Sequence, residues 1–140
     1  MSIFFGGEKI QASGYKPLAV YSELSNPKPD SLKLRQAFCT YKTNGDSLEL
    51  MGAVTVNSSN GIGYGFSFGI LKMPDTGYVL DQSSSRFSGC VESLTGRLMD
   101  TTDAYLNGDE LKLSVVTTDT TTTNVVSGGA VIFHLFFNKS

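Results

Sequence analysis

The amino-acid sequence predicts an all-β protein, folded as a single antiparallel β-sandwich domain over residues 1–140. Apolar and polar residues alternate in roughly eight or more short segments, and this period of two is typical of half-buried strands. Turn-forming residues separate the segments at intervals of about 8 to 12 residues. No segment has a secure helical repeat. Many short strands joined by turns favour a sandwich of the jelly-roll type.

The strand pattern is clearest in the stretch GIGYGFSFGIL at residues 61–71. Alternate positions of this stretch are mostly glycine, and the positions between them are apolar, namely Ile62, Tyr64, Phe66, Phe68 and Ile70. Glycine weakens a strand unless another group must approach its backbone closely. We therefore expect a central strand that is packed on its aromatic face and closely approached on its glycine face.

The first part of the chain contains a terminal segment, a strand and a loop. Residues 1–12 should form an N-terminal arm or a short edge strand. Residues 15–21 are predicted to be a strand, and Pro17 suits a sheet edge because proline cannot donate a backbone hydrogen bond. Residues 26–30 contain two prolines and are predicted to be a loop.

Residues 32–41 fit two structures. Asp30 could cap a helix that begins there, since its side chain can accept backbone hydrogen bonds of the first turn. As a strand, the segment would place Leu32, Leu34 and Phe38 on one face. We favour the strand because the segments on both sides are β.

Two Asn-Gly-Asp turns, at residues 44–46 and 107–109, predict hairpins. The second leads into a half-buried strand at residues 111–115. A further turn is expected at residues 74–77. The first hairpin leads into a strand with one apolar face, formed by Leu48, Leu50, Gly52, Val54 and Val56.

Three other segments have weaker patterns. Ser83, Ser84 and Ser85 are predicted to form a flexible polar loop. The alternation changes parity after residues 87–91, which indicates a bulge or a corner before residues 94–98. Residues 117–123 are rich in threonine, without an apolar face, and should be a loop or a solvated edge.

The last predicted strand, residues 131–137, is nearly apolar on both faces. One face can fill the sandwich core, which leaves Ile132, His134 and Phe136 on the other face needing cover. A contact between copies of the chain would provide it, because monomers rarely expose a large contiguous apolar patch. The alternative is cover by the chain's own arm, which contains Ile3-Phe4-Phe5.

Composition excludes several classes of function. The chain has a net charge of -2 and lacks the basic stripe that is expected of a nucleic-acid-binding protein. No apolar run approaches the roughly 20 residues that cross a bilayer, so no membrane insertion is expected. The first residues lack the basic and apolar regions of a signal peptide, so we expect synthesis in a cytoplasm. Cys39 and Cys90 both fall in predicted strands and are expected to be small buried residues, although a disulfide between them is left open.

No set of residues predicts catalysis, a metal or a cofactor. Ser67 lies in a G-x-S-x-G sequence, but a nucleophile elbow needs a sharp turn, whereas the strand alternation runs through this serine. His134 is the only histidine, without the companion ligands of a zinc site, and should have hydrogen-bonded ring nitrogens. We therefore expect a protein that is not an enzyme.

A small set of residues near turns could bind a sugar. Tyr78 and Tyr105 could stack on a sugar ring, and the second lies beside Asn107 and Asp109, whose side chains could bind hydroxyl groups. This pattern supports a carbohydrate-binding module as the alternative function. Ordinary packing at the end of a sheet would explain the same tyrosines.

The C-terminal third resembles the end of a C1q/TNF-type jelly roll. The resemblance lies in YLNGDELKL at residues 105–113, followed by a polar loop and then GGAVIFHLFF at residues 128–137. It implies a compact homotrimer, of the kind found on bacteriophage fibres and capsid decorations. The function it implies is that of a virion structural or attachment module, located in the virion. Its expected partners are further copies, other virion proteins or a cell-surface glycan.

Overall fold

The computed structural model describes residues 14–28, 30–58, 66–92, 100–116 and 128–140. In these ranges the chain forms two antiparallel sheets that pack against each other, and no helix, which confirms the predicted all-β sandwich. The ten strands are β1 Lys16–Pro17, β2 Ser25–Lys28, β3 Leu32–Asn44, β4 Ser47–Ser58, β5 Phe66–Lys72, β6 Tyr78–Leu80, β7 Arg86–Glu92, β8 Asp100–Asn107, β9 Glu110–Val116 and β10 Gly128–Lys139.

The first sheet has the strand order β1-β3-β4-β10, and two short strands share the far side of β10. β7 pairs with the beginning of β10, from Gly128 to His134, and β6 pairs with its end, from Phe137 to Lys139. The second sheet has the order β2-β5-β9-β8. Because β3, β4 and β10 are the longest strands of the first sheet, they position most of the side chains on both of its faces.

The core lies between the sheets and is built by alternation along the long strands. The faces predicted for β4 and β10 are confirmed, because the inward residues of both strands are buried and their neighbours are not. The largest fully buried side chains are Leu32, Leu48, Leu50, Phe68, Ile70, Leu71, Leu111, Leu113, Leu135 and Phe137.

β5 is an inner strand between β2 and β9, as the glycine-rich stretch predicts. Phe68 and Ile70 are buried in the core. On the opposite face, a Cβ atom at Gly69 would lie 2.9 Å from the side chain of Glu110 and 3.0 Å from the Cβ of Ser25. The close approach to the glycine face is therefore confirmed at Gly69, while residues 61–65 lie outside the described ranges.

β3 is a strand, but its faces differ from the prediction. The register between β3 and β4 shifts between Leu34 and Gln36, so the extra residue reverses the alternation beyond it. Leu32 is 1% exposed, whereas Phe38 is 64% exposed. The expectation that these two residues share a face is wrong, because an inserted residue moves every later side chain to the other side of the sheet.

Two short edge strands also differ from the prediction. Residues 25–28 pair with β5 instead of forming a loop, with an irregular register and a positive φ of 47° at Asn26. Pro27 is tolerated there because an edge strand can leave one side unpaired. β1 is only two residues long, although Pro17 does lie on an edge strand, as predicted.

The predicted turns at residues 44–46, 74–77 and 107–109 are confirmed. Gly45, Gly77 and Gly108 have φ values of 61°, 85° and 65°, and glycine alone adopts such values without steric cost. Residues 1–12, 94–98 and 117–123, for which an arm, a corner and a loop are predicted, lie outside the described ranges.

The serine segment between β6 and β7 is an ordered insertion and not merely a polar loop. Ser85 is buried, and its hydroxyl donates to the carbonyl of Asp81 at 2.7 Å. The same oxygen accepts from the backbone N–H of Phe136 at 2.9 Å. The hydroxyl therefore satisfies the backbone of β10 where the partner strand is interrupted.

Cys39 is buried in the core, as expected, and is a free thiol. Burial raises the pKa of the Cys39 thiol to about 12. Cys90 lies in β7, opposite Ala130 in the strand register. Within the described ranges, no group of three or more metal-ligating side chains could hold a metal ion. Those ranges also contain no helix long and apolar enough to cross a membrane.

Candidate functional site

The middle of the outer face of the first sheet carries three consecutive rows of cross-strand neighbours. Of these three, the row furthest from the β3–β4 turn is apolar and consists of Phe38, Ala53 and Ile132. The next row contains Thr40, Met51 and His134, and the row nearest the turn contains Lys42, Glu49 and Phe136. The face therefore changes from apolar to charged along the strands.

We call Phe38, Met51, Ala53 and Ile132 the apolar patch. Phe38 and Ile132 are 64% and 61% exposed, although both are large hydrophobic residues in regular strands. The strands that carry them flank β4, so the two side chains lie on either side of Ala53. Single exposed hydrophobic residues are common on protein surfaces, but adjacent ones in the middle of a sheet are not.

A shallow depression of about 420 Å³ lies at the patch. Its lining includes Gly52 and Phe133, which belong to the inward faces of their strands, and a Cβ atom at Gly52 would be 2.8 Å from the Phe133 ring. The residues around the depression are Phe38, Met51, Gly52, Arg86, Ile132, Phe133 and His134.

His134 marks the boundary between the apolar patch and the charged end of the face. Its Nε2 atom lies 2.5 Å from Oε2 of Glu49, and its side chain is 42% exposed. The imidazole ring lies 4.7 Å from the Phe136 ring, at an angle of 32°. The expectation of a hydrogen-bonded ring nitrogen is confirmed at Nε2. Of the three predicted interface residues, Ile132 is the most exposed, and all three share this face.

At the charged end, Tyr15 directly precedes the edge strand β1 and contacts Lys42 and Glu49 on the outer face. The Lys42 Nζ atom lies 5.5 Å from the centre of the Tyr15 ring. Partial burial, together with a hydrogen bond to Glu49 and the charge of that carboxylate, raises the pKa of the Tyr15 hydroxyl. Glu49 thus receives hydrogen bonds from two side chains, which fixes its carboxylate in the middle of the sheet.

A groove of about 530 Å³ adjoins this charged end. Asp81 stands on its rim, and its carboxylate accepts hydrogen bonds from the N–H and the hydroxyl of Ser83. The hydrogen bonds from Ser83 and Ser84 lower the pKa of Asp81. Arg86 donates to the carbonyls of Ser83 and Ser85, so the serine insertion has a defined shape where it borders the groove.

The four predicted sugar-binding residues do not form one site. Tyr78 and Asp109 line the same cleft of about 440 Å³ at one end of the sandwich. Tyr105 and Asn107 instead lie opposite Lys112 and Glu110 on the outer face of the second sheet. The strand alternation separates them from the cleft, because Leu106 between them points to the core side.

Tyr78 itself is already engaged within the protein. Its ring packs edge-on against Phe137 at 6.5 Å, and Lys139 Nζ lies 5.2 Å from its centre. Lys139 also forms an ion pair of 2.5 Å with Asp75 on the cleft rim. This ion pair raises the pKa of Lys139 and lowers that of Asp75. A sugar that stacked on Tyr78 would have to compete with Lys139 for the ring.

Ser67 and His134 lie in different sheets. Ser67 is in β5, opposite Ser114, whereas His134 is in β10 on the outer face of the first sheet. The G-x-S-x-G serine is therefore part of a regular strand, as its alternation predicts.

Sequence reasoning missed Phe38, Met51 and Ala53 as members of the exposed face. A signal for Phe38 does exist, because Arg35 and Gln36 are consecutive polar residues that interrupt the alternation of β3. An interruption of this kind is typical of a bulge. Comparison of the chain with family models, curated proteins and solved structures finds no match.

Proposed function

We propose that the protein is a non-enzymatic structural module whose copies assemble through the outer face of the first sheet. The observation that carries this proposal is the adjacent exposure of Phe38 and Ile132 over the depression. Water contact with such a patch is unfavourable, and a second copy of the same surface is the usual means of covering it.

The two exposed side chains supply part of the energy that assembly needs. Full burial of a phenylalanine or isoleucine side chain stabilises by roughly 1.5 to 3 kcal/mol, so covering the exposed parts of Phe38 and Ile132 contributes about 1 to 2 kcal/mol each. Glu49, His134 and Lys42 lie next to the patch and can set the orientation of the partner, since charged groups contribute specificity more than affinity.

The number of copies and the biological setting rest on the resemblance of the C-terminal third to C1q/TNF-type heads. On that basis we propose a homotrimer that serves as a fibre head or capsid decoration of a bacteriophage-type virion. The protein would be made in the host cytoplasm and would contact other virion proteins or a cell-surface glycan. The all-β sandwich is compatible with this role.

The mass of the protein in solution tests the proposal. Light scattering after size exclusion should give three times the chain mass for the wild type, and Phe38→Asp should lower it by placing a charge in the contact. Val79→Asp is the matched control. Val79 is 54% exposed and pairs with Asn138, about 20 Å along β10 from Ile132. A monomeric wild type at micromolar concentration would contradict assembly.

A carbohydrate-binding module is the second candidate. The observation that favours it is the cleft that brings Tyr78 and Asp109 together. A glycan array with the wild type should then give binding that Tyr78→Ala removes and Tyr105→Ala leaves intact, because Tyr105 lies outside the cleft. Binding that is lost equally in both variants would place the sugar elsewhere.

A further inference from the structure

We propose that the N-terminal segment of one copy, through Ile3, Phe4 and Phe5, occupies the depression on the outer face of the first sheet of a neighbouring copy. The inference rests on the proposed self-assembly and names the occupant of its contact surface. Four further observations, on size, position, direction and reach, support it.

The apolar patch is too small to hold a stable assembly by itself. Stable interfaces bury about 800 Å² on each partner and involve roughly 20 to 30 residues a side. The patch consists of four side chains, of which Met51 and Ala53 are already half-buried. A second apolar element must therefore contribute to the contact, and residues 3–5 form an apolar group in the sequence.

The N-terminal segment joins the sandwich on the outer face of the first sheet. A Cβ atom at Gly14 would lie 3.4 Å from Cε of Lys42, and the Tyr15 ring lies under the Lys42 ammonium group. Lys42 shares its row with Glu49 and Phe136. The residues before Gly14 therefore start beside the same face that carries the depression.

The direction of β1 favours a neighbouring copy over the chain's own face. Lys16 pairs with Tyr41 and Pro17 pairs with Thr40, so Tyr15 and Gly14 lie on the side of β1 that faces the β3–β4 turn. The depression lies toward the other end of the sheet, beside Phe38. To cover its own depression the segment would have to reverse direction at Gly14 and cross the Tyr15 and Lys42 side chains.

The segment is long enough to reach a neighbour. Eight residues lie between Phe5 and Gly14, and an extended chain from one to the other spans about 30 Å. The depression of the same copy is about 20 Å from Gly14, estimated from strand spacing and rise per residue. Gly6 and Gly7 follow the apolar group and permit a change of direction there, because glycine adopts backbone angles closed to other residues.

Disulfide cross-linking between differently tagged copies tests the proposal directly in the full-length chain. One copy carries Gly6→Cys, which leaves Ile3, Phe4 and Phe5 intact, and the other carries Thr40→Cys beside the patch. Both carry Cys90→Ala. Mild oxidation should give a covalent pair that contains both tags. Val79→Cys replaces Thr40→Cys in the matched control and should lose the cross-link.

A second measurement uses the apolar group itself. Phe4→Asp combined with Phe5→Asp should weaken the association by about a hundredfold or more, because two buried rings are lost. Phe4→Leu combined with Phe5→Leu should retain most of it, and Glu8→Ala with Lys9→Ala should have no effect. Circular dichroism and the unfolding midpoint check that each variant is folded.

The possible outcomes separate this inference from the proposed function. One outcome is that the wild type assembles and Phe38→Asp dissociates it, whereas Phe4→Asp combined with Phe5→Asp does not. In that case the sheets meet directly, so the inference is wrong and the proposed function stands. If the wild type is monomeric and a chain with both cysteines closes an internal disulfide, the segment covers its own face and both are wrong. A cross-link between the two tags, lost in the control, supports the inference.

Discussion

The imidazole Nε2 of His134 lies 2.5 Å from Oε2 of Glu49 on the adjacent strand β4. A carboxylate only accepts hydrogen bonds, so the Nε2 atom carries the proton of this contact. The Tyr15 hydroxyl also bonds to Glu49, from the side of β1. Polar contacts thus connect β4, β10 and the residue that precedes β1 on the face that carries the apolar patch, and these contacts fix the orientation of its charged end.

We expect Glu49→Leu to lower the free energy of unfolding by about 1 kcal/mol. The substitution leaves the His134 ring and the Tyr15 hydroxyl without their acceptor, but both groups are partly exposed and can bond to water instead. Urea denaturation measures the change. Glu23→Leu, at an exposed glutamate outside the strands, is the control and should change stability by no more than a few tenths of a kcal/mol. Equal losses in the two variants would contradict a role for the contact.

Ser85→Ala should be more destabilising than its small size suggests. It removes the hydroxyl that accepts from the Phe136 N–H and donates to the Asp81 carbonyl, and the site is only 5% exposed. An unsatisfied buried backbone group costs about 1 to 3 kcal/mol. Ser83→Ala is the control, since Ser83 is exposed. Hydrogen exchange should also accelerate at the Phe136 amide, and unchanged exchange there would argue against this role.

Local patterning was sufficient to predict the core faces of β4 and β10. Their alternation runs without interruption, so a period of two determines which side chains point inward. It was not sufficient for Phe38, because the register shift before Gln36 reverses the parity of β3. An inserted residue changes the face of every residue after it, and the sequence marks it only by Arg35 and Gln36 standing together.

Local sequence patterns also do not predict which residues line the cleft at the end of the sandwich. Tyr78 and Asp109 line the same cleft because β6 pairs with the end of β10 and the β8–β9 turn lies at the same end of the sandwich. Those relationships depend on strand order, which short-range sequence signals do not determine. Proximity in the chain groups Tyr105 and Asn107 with Asp109, whereas alternation places them on the outer face of the second sheet.

Gly52→Ala should destabilise the protein and disturb the patch together. The added Cβ would lie 2.5 Å from the Phe38 carbonyl oxygen and 2.8 Å from the Phe133 ring, and backbone atoms cannot give way as a flexible side chain can. Overpacking of this kind costs typically about 1 to 3 kcal/mol. Gly45→Ala has open space and only a positive φ, so about 1 kcal/mol is expected there. If assembly depends on the position of Phe38, Gly52→Ala should also change the mass of the protein in solution, whereas Gly45→Ala should not.

The buried thiol of Cys39 should make stability fall at alkaline pH. Its pKa is raised to about 12 in the folded protein from 9.0, so the folded state holds the proton more tightly than the unfolded chain. The corresponding stabilisation is complete below pH 9 and is lost as the pH rises from 9 toward 12, amounting to about 1 kcal/mol at pH 10. The hydroxyl of Tyr21, whose pKa is also about 12, adds a smaller loss in the same range.

Urea denaturation at pH 7 and pH 10 measures this decrease in stability, and Cys39→Ala should reduce the decrease by removing the thiol's contribution. In the wild type at pH 8, a thiol reagent should leave Cys39 unlabelled until the protein unfolds, since the reactive thiolate is almost absent. Rapid labelling of native Cys39, or an unchanged pH dependence in Cys39→Ala, would contradict the buried and protonated thiol.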